Sequence, residues 1–218
     1  MTPEERIESY NARMPYPRSL FLGGDGRIVG TWLMGNNYRT SSAIYGGYPN
    51  GYLKRVRALF PDKRSTLHLF SGQVDRTAWP GDTLDIRPEV NPTYLCDAEQ
   101  SLRGVPLESY DIVLADPPYS VEDAERYQTT MVKRNKVVRR LAEGCRPGTH
   151  VVWLDQVLPM YRRSEWSIIG VIGMVRSTSH RFRMITIFER SGNRRVRSAR
   201  SHAPTVATVA RRGVESGR

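Results

Sequence analysis

The chain has 218 residues, 39% of them apolar, with four Trp, eleven Tyr and a formal net charge of +11. That length can bury a domain-sized core, and that aromatic content excludes a wholly disordered chain. No run of eighteen apolar residues argues for a transmembrane helix, and Cys96 and Cys145 alone supply neither a disulfide framework nor a zinc spacing.

In chain order, Thr2-Pro3-Glu4-Glu5 reads as a helix start, with a capping Thr, Pro in the first turn and Glu three residues after Thr. The same segment lacks the basic-then-apolar pattern of a secretion signal, so a cytoplasmic protein with reduced thiols is expected. The helix ends before Pro15. Residues 19–22 and 28–34 flank Gly23-Gly24-Asp25-Gly26 and read as a β-hairpin. Residues 35–51 are rich in Gly, Asn, Ser and Tyr, a long loop of the kind that carries function. From there helical and extended patterns alternate. Residues 52–60 are helical, with Leu53, Val56 and Phe60 on one face. Short apolar runs at 67–70, 83–86, 94–96, 112–115 and 151–154 read as strands, and 121–143 as the longest helical pattern, stopped by Gly144. Residues 168–174 and 182–188 read as two final strands joined by a polar turn. Such alternation predicts an α/β fold with a mostly parallel sheet and an antiparallel terminal hairpin. After Arg190 no pattern remains. The expected organisation is residues 1–47 as an N-terminal helix, hairpin and loop, 48–190 as the main domain, and 191–218 as a flexible basic tail.

The sharpest feature is Asp111-Ile112-Val113-Leu114-Ala115-Asp116-Pro117-Pro118-Tyr119-Ser120, a buried strand that runs straight into an acid, two prolines and an aromatic. In open α/β sheets ligands bind at the carboxyl ends of the strands, where this tetrad falls. The Asp116 carboxylate and the Pro117 carbonyl are acceptors able to grip two N–H bonds of a planar amine. The rings of Pro117 and Pro118 stiffen the turn, and Tyr119 offers a flat face for a base.

The tetrad resembles motif IV of the S-adenosylmethionine-dependent amino-methyltransferases with a DPPY motif, the DNA adenine-N6 and cytosine-N4 enzymes; related tetrads occur in rRNA guanine-N2 methyltransferases. Upstream, Leu67-His68-Leu69-Phe70-Ser71-Gly72 resembles motif I, the strand and glycine turn around the methionine part of the cofactor. The family usually has a second glycine two residues on, where this chain has Val74. Tyr48-Pro49-Asn50-Gly51-Tyr52-Leu53-Lys54-Arg55 resembles motif X, which packs across the methionine end. The resemblance covers about two thirds of the chain and implies the class I methyltransferase (Rossmann-like) sheet of seven strands, with S-adenosylmethionine as cofactor. It further implies that Tyr48, Leu69, Phe70, Ser71 and Gly72 wrap the cofactor, that Asp85 and Ile86 meet its ribose, that Asp97 and Ala98 meet its adenine, and that Asp116 borders it.

By the same resemblance Asp116, Pro117, Pro118 and Tyr119 are the catalytic residues, acting by direct methyl transfer to an exocyclic nitrogen of a flipped or unpaired base. The chain after Ser120 is too short for a sizeable target-recognition region, so substrate contacts are expected from Tyr119, Ser120, Asn36, Arg39, Asp155, His180 and Arg181. His68, His150, His180 and His202 show no ligand spacing, and no metal is expected. Only four of the 33 basic residues are Lys, and residues 191–218 carry seven Arg against one Glu. Arginine's planar fork suits phosphate and guanine edges, so nucleic acid is the expected partner, DNA before RNA. Two other readings stay open on sequence: an rRNA guanine-N2 methyltransferase, and a non-catalytic nucleic-acid-binding protein on the same fold.

Overall fold

The structure is a computed structural model that describes residues 1–35, 47–126, 129–176 and 182–192. Its first helix, α1 (Pro3–Arg13), begins as the sequence predicts. Thr2 Oγ1 accepts from the Glu5 amide at 3.3 Å, and Glu5 Oε2 accepts from the Thr2 amide at 2.9 Å, a reciprocal capping box. The hairpin β1 (Leu20–Leu22) and β2 (Ile28–Met34) follows, then α2 (Tyr52–Leu59). Next come β3 (Thr66–Leu69), β4 (Asp82–Asp85), β5 (Tyr94–Leu95) and β6 (Ile112–Ala115). The chain continues through α3 (Val121–Arg126), α4 (Arg134–Gly144), β7 (His150–Asp155), β8 (Trp166–Arg176) and β9 (Phe182–Arg190).

All the described strands join one sheet in the order β1-β2-β8-β9-β7-β6-β3-β4-β5. Strands β3 to β7 are parallel, and β9 runs antiparallel to both β7 and β8. These seven strands form the class I methyltransferase-like α/β fold. The sheet has nine strands rather than seven because the N-terminal hairpin extends it, with β2 parallel to β8. The physical reason lies in the alternation of β2. Ile28, Trp32 and Met34 are buried on one face and continue the core formed by Ile172 and Met174 of β8.

That core also holds α1 and α2. Tyr10 stacks on Trp32 with ring centroids 5.7 Å apart, and the buried Arg6 ties the helices together through Leu59 O at 3.1 Å and Asp62 Oδ1 at 2.8 Å. A second core lies on the opposite face, where Val138 and Leu141 of α4 join Trp153, Trp166 and Phe188. The connection between β7 and β8 contains no helix, and Val29, Leu33 and Phe182 stay exposed.

One predicted element differs. The pattern over 121–143 splits into α3 and α4 instead of forming one helix. Thr129, Thr130 and Val132 are β-branched residues of low helix propensity, and the Lys133 amide donates sideways to Glu99 Oε2 at 3.0 Å. The loop at 36–46, the turn at 177–181 and the tail from 193 lie outside the described residues, and with them Asn36, Arg39, His180 and Arg181.

Candidate active site

Strand order reverses between β3 and β6: the chain builds outward from β3 to β4 and β5, then returns to place β6 on the other side. Crevices for ligands open at such switch points, outside the carboxyl ends of the strands. Both motifs fall there, with Phe70 following β3 and Asp116 following β6. All four residues of β6 are buried, so the strand is pinned on both faces and delivers Asp116 from a rigid support.

Burial is the main influence on Asp116 and pushes its carboxyl up to about 7, against the opposing pull of Tyr119 and of the Arg183 and Arg176 charges. Tyr119 Oη donates to Asp116 Oδ1. Arg183 lies over the Tyr119 ring, 4.1 Å from its centroid, and its Nη1 donates to Tyr119 Oη at 3.2 Å. Tyr48 stacks on Tyr52 with centroids 5.3 Å apart and donates its hydroxyl to Leu114 O at 3.2 Å. Burial raises both of these phenols well above their ordinary range, and the Asp116 charge adds to the rise in each. Asp116 therefore sits among three tyrosines and opposite an arginine.

On the β3 side, Phe70 and Gly72 both take positive φ, 58° and 49°, which bends the chain sharply around the strand end. Gly72 donates its amide to Asp85 Oδ2 at 2.8 Å, so the acid closing β4 also holds the turn. Val74, where the family usually has glycine, packs its side chain against the core under α1 and α2. Asp85 is buried and meets Arg87 as well: Nε donates to Oδ1 at 3.1 Å and Nη2 to Oδ2 at 3.4 Å. Ile86 beside it is exposed. Asp97 accepts from the Glu99 amide at 2.8 Å, and Ala98 is buried against the second core.

The remaining substrate candidates are placed differently. Ser120 Oγ accepts from the Asp123 amide at 3.2 Å and starts α3. Asp155 is fully buried and accepts from Arg134 Nε at 2.5 Å, Arg134 Nη2 at 3.0 Å, Trp153 Nε1 at 3.0 Å and the Gln156 amide at 2.7 Å. Four donors use the capacity of a carboxylate, so Asp155 braces the end of β7 and acts on the site through its charge, which raises Asp116 further.

Arg183 is absent from the sequence reading, and Tyr52 enters it only as part of the segment resembling motif X. Arg183 left a signal: it shares the strand parity of Ile185 and Ile187, an inward position where a charge is unusual. A separate cleft of about 270 Å³, lined in part by Arg57, Phe60, Lys63 and Trp79, opens at the amino ends of β3 and β4, away from the tetrad.

No protein-family model and no curated protein matches the chain. Among solved structures, TrmN from Thermus thermophilus is similar over 68% of this chain and 51% of its own, with 15% identity and a TM-score of 0.49. The chain thus spans about half the length of that protein. The N-methyltransferase NodS from Bradyrhizobium japonicum WM9 is similar over 64% of this chain and 93% of its own, with 11% identity and a TM-score of 0.42. The mitomycin 7-O-methyltransferase MmcR is similar over 61% and 50%, with 11% identity and a TM-score of 0.37. At these identities and TM-scores the likenesses carry no conclusion about this chain.

The turn after β3 suits a polar cofactor on its own terms. Ser71 Oγ, in that turn, and Tyr52 Oη, behind Tyr48, are buried without hydrogen-bond partners among the described residues. Unmatched buried polar atoms cost about 1–3 kcal/mol each, and a polar ligand relieves that cost. Asp85 closes β4, the exposed Ile86 follows it, and Asp97 follows the neighbouring strand β5 at the same end of the sheet. Among the described residues no three His, Cys, Asp or Glu lie together as a metal site.

Proposed function

We propose that the chain is an S-adenosylmethionine-dependent methyltransferase that modifies the exocyclic amino group of a nucleic-acid base, adenine N6 or cytosine N4 in DNA. The observation that carries this reading is the position of Asp116-Pro117-Pro118-Tyr119 at the carboxyl end of β6, beside the glycine turn of β3 at the switch point. The cofactor, when bound, supplies an activated methyl group. Tyr48, Leu69, Phe70, Ser71 and Gly72 would hold its methionine end, Asp85 and Ile86 its ribose, and Asp97 and Ala98 its adenine.

The chain's own residues handle the amine. An aromatic amine is a poor nucleophile because its lone pair is delocalised into the ring. Two acceptors, Asp116 and the Pro117 carbonyl, favour the geometry in which the lone pair is localised on nitrogen. The prolines hold those acceptors fixed, and Tyr119 supplies a ring on which a base stacks for about 1–3 kcal/mol. Positioning of the amine then carries much of the rate. The net charge of +11 supports an anionic polymer as partner.

Nucleoside mass spectrometry of DNA and RNA from cells with and without the protein tests the reading. A new methylated adenine or cytosine, lost with Asp116→Ala, is the expected result. A methylated guanine confined to rRNA would move the substrate to the guanine-N2 class. Binding of nucleic acid without any methyl transfer would leave only the binding function.

A further inference from the structure

The proposed chemistry leaves Arg183 without a role. It is the second residue of β9, opposite Met174 of β8, and strand alternation turns it to the face of Ile185 and Ile187. Its guanidinium covers the Tyr119 ring and its Nη1 donates to Tyr119 Oη, which donates in turn to Asp116. Arg183 Nε is buried and has no hydrogen-bond partner among the described residues. A planar group carrying N–H donors thus lies where a stacked base would lie.

We propose that Arg183 is the specificity-determining residue of the target site, and that with Asp116 it selects a base edge on which a ring-nitrogen acceptor adjoins the exocyclic amine. This rests on the methyltransferase reading and names its substrate edge. Tyr119 Oη shows the required polarity, since it accepts from Arg183 and donates to Asp116. Adenine offers the same pair as N1 beside N6, and again as N7 beside N6; cytosine offers N3 beside N4. Guanine offers such a pair only on its sugar-side edge, as N3 beside N2 next to the glycosidic bond; on its Watson–Crick edge the neighbour of N2 is N1–H, a donor that would face the donors of Arg183. Arginine stays charged and has no acceptor, so the mismatch cannot be relieved by proton transfer. An entering base takes the place of the guanidinium on Tyr119, and one of the displaced donors gains the ring nitrogen as its acceptor.

The test compares an oligonucleotide carrying the mapped methylation site with copies in which the target adenine is 1-deazaadenine or 7-deazaadenine, or the target cytosine is 3-deazacytosine. Each analogue keeps the amine and deletes one acceptor. Wild-type kcat/KM should fall roughly 10- to 100-fold on the copy lacking the acceptor that Arg183 meets. Arg183→Ala should lose a similar factor on the natural base and treat base and analogue alike, with Arg183→Gln between the two. Melting temperatures separate a folding defect from these effects, and the wild-type comparison needs no variant. Equal wild-type rates on natural base and all analogues, or discrimination retained in Arg183→Ala, would overturn the assignment. Transfer to guanine N2 at a rate unchanged by 3-deazaguanine would overturn it while leaving the methyltransferase reading intact, and absence of transfer to any base would remove both.

Discussion

At the scale of single residues, Asp116 links catalysis to pH. Its carboxyl stands at about 7 because burial strips hydration from the charged form. The ionised form is the one that accepts from an amine, so kcat/KM should rise as pH increases through about 7 and level off above it; a flat profile from pH 5 to 9 would separate Asp116 from the chemistry. Asp116→Ala should cost roughly 100- to 1000-fold in kcat while cofactor affinity, measured by calorimetry, stays within a few fold. The same shift acts on stability with a definite sign. A carboxyl raised on folding contributes stability that is complete below the ordinary carboxylate range and is lost as pH rises through about 7. Asp116→Asn should therefore melt higher than wild type at pH 8 and lose that advantage near pH 4, a trade of stability for function. Asp85 poses a different question, because Arg87 and the Gly72 amide already engage its carboxylate. Asp85→Ala should weaken cofactor binding roughly 10-fold or more, whereas Arg87→Ala should not weaken it, since that change frees acceptor capacity for a diol. Equal losses in the two variants would make the ion pair, not the carboxylate alone, the contact.

At the scale of elements, the N-terminal hairpin is part of the sheet that supports the site. Trp32 of β2 is fully buried between Tyr10 of α1 and Tyr52 of α2, and Tyr52 backs the Tyr48 ring beside Asp116. Trp32→Ala should destabilise the fold by about 3–5 kcal/mol, read from denaturant unfolding, because it opens a large cavity where the rings of two helices and a strand meet. A loss below about 1 kcal/mol would mean that the hairpin is peripheral to the core. Gly30 in the same strand has φ +155°, and a Cβ there would lie 1.9 Å from Ser19 O, so the hairpin also depends on a position without a side chain.

At the scale of the whole molecule, charge is unevenly spread along the chain. Residues 191–218 hold +6 of the +11 and no apolar periodicity. Removing residues 193–218 should leave the melting temperature and cofactor affinity unchanged while weakening nucleic-acid binding. For every phosphate that the shortened chain no longer neutralises, the slope of log affinity against log salt flattens by roughly 0.7–0.9. A change of a few units is expected, since not every arginine need engage at once. An unchanged slope would show that the tail is no nucleic-acid arm, and a large fall in melting temperature would show that it packs on the domain.

Short-range patterns in the sequence determined most of the elements and the place of the tetrad. Residues 112–115 read as a strand because a strand covered on both faces must be apolar throughout, and an acid directly after it must stand at the sheet's edge. Thr2 and Glu5 announced α1 because capping is a contact within one turn. What remained hidden depends on partners distant in the chain. The sequence shows residues 28–34 as one strand of a hairpin, not that β2 pairs with β8, since a strand pattern does not identify the neighbour. Likewise the sequence places Asp85 and Asp155 at strand ends as ribose and substrate contacts, and only the folded chain shows the donors from Arg87, Arg134 and Trp153 that meet them. Arg183 stands far from Tyr119 in the chain, and the antiparallel register of β9 against β7 and β8 brings it to the same edge as Asp116. Local chemistry is written in neighbouring residues; the meeting of Arg183, Tyr119 and Asp116 is decided by strand order and register, which arise only when the whole sheet closes over its two cores.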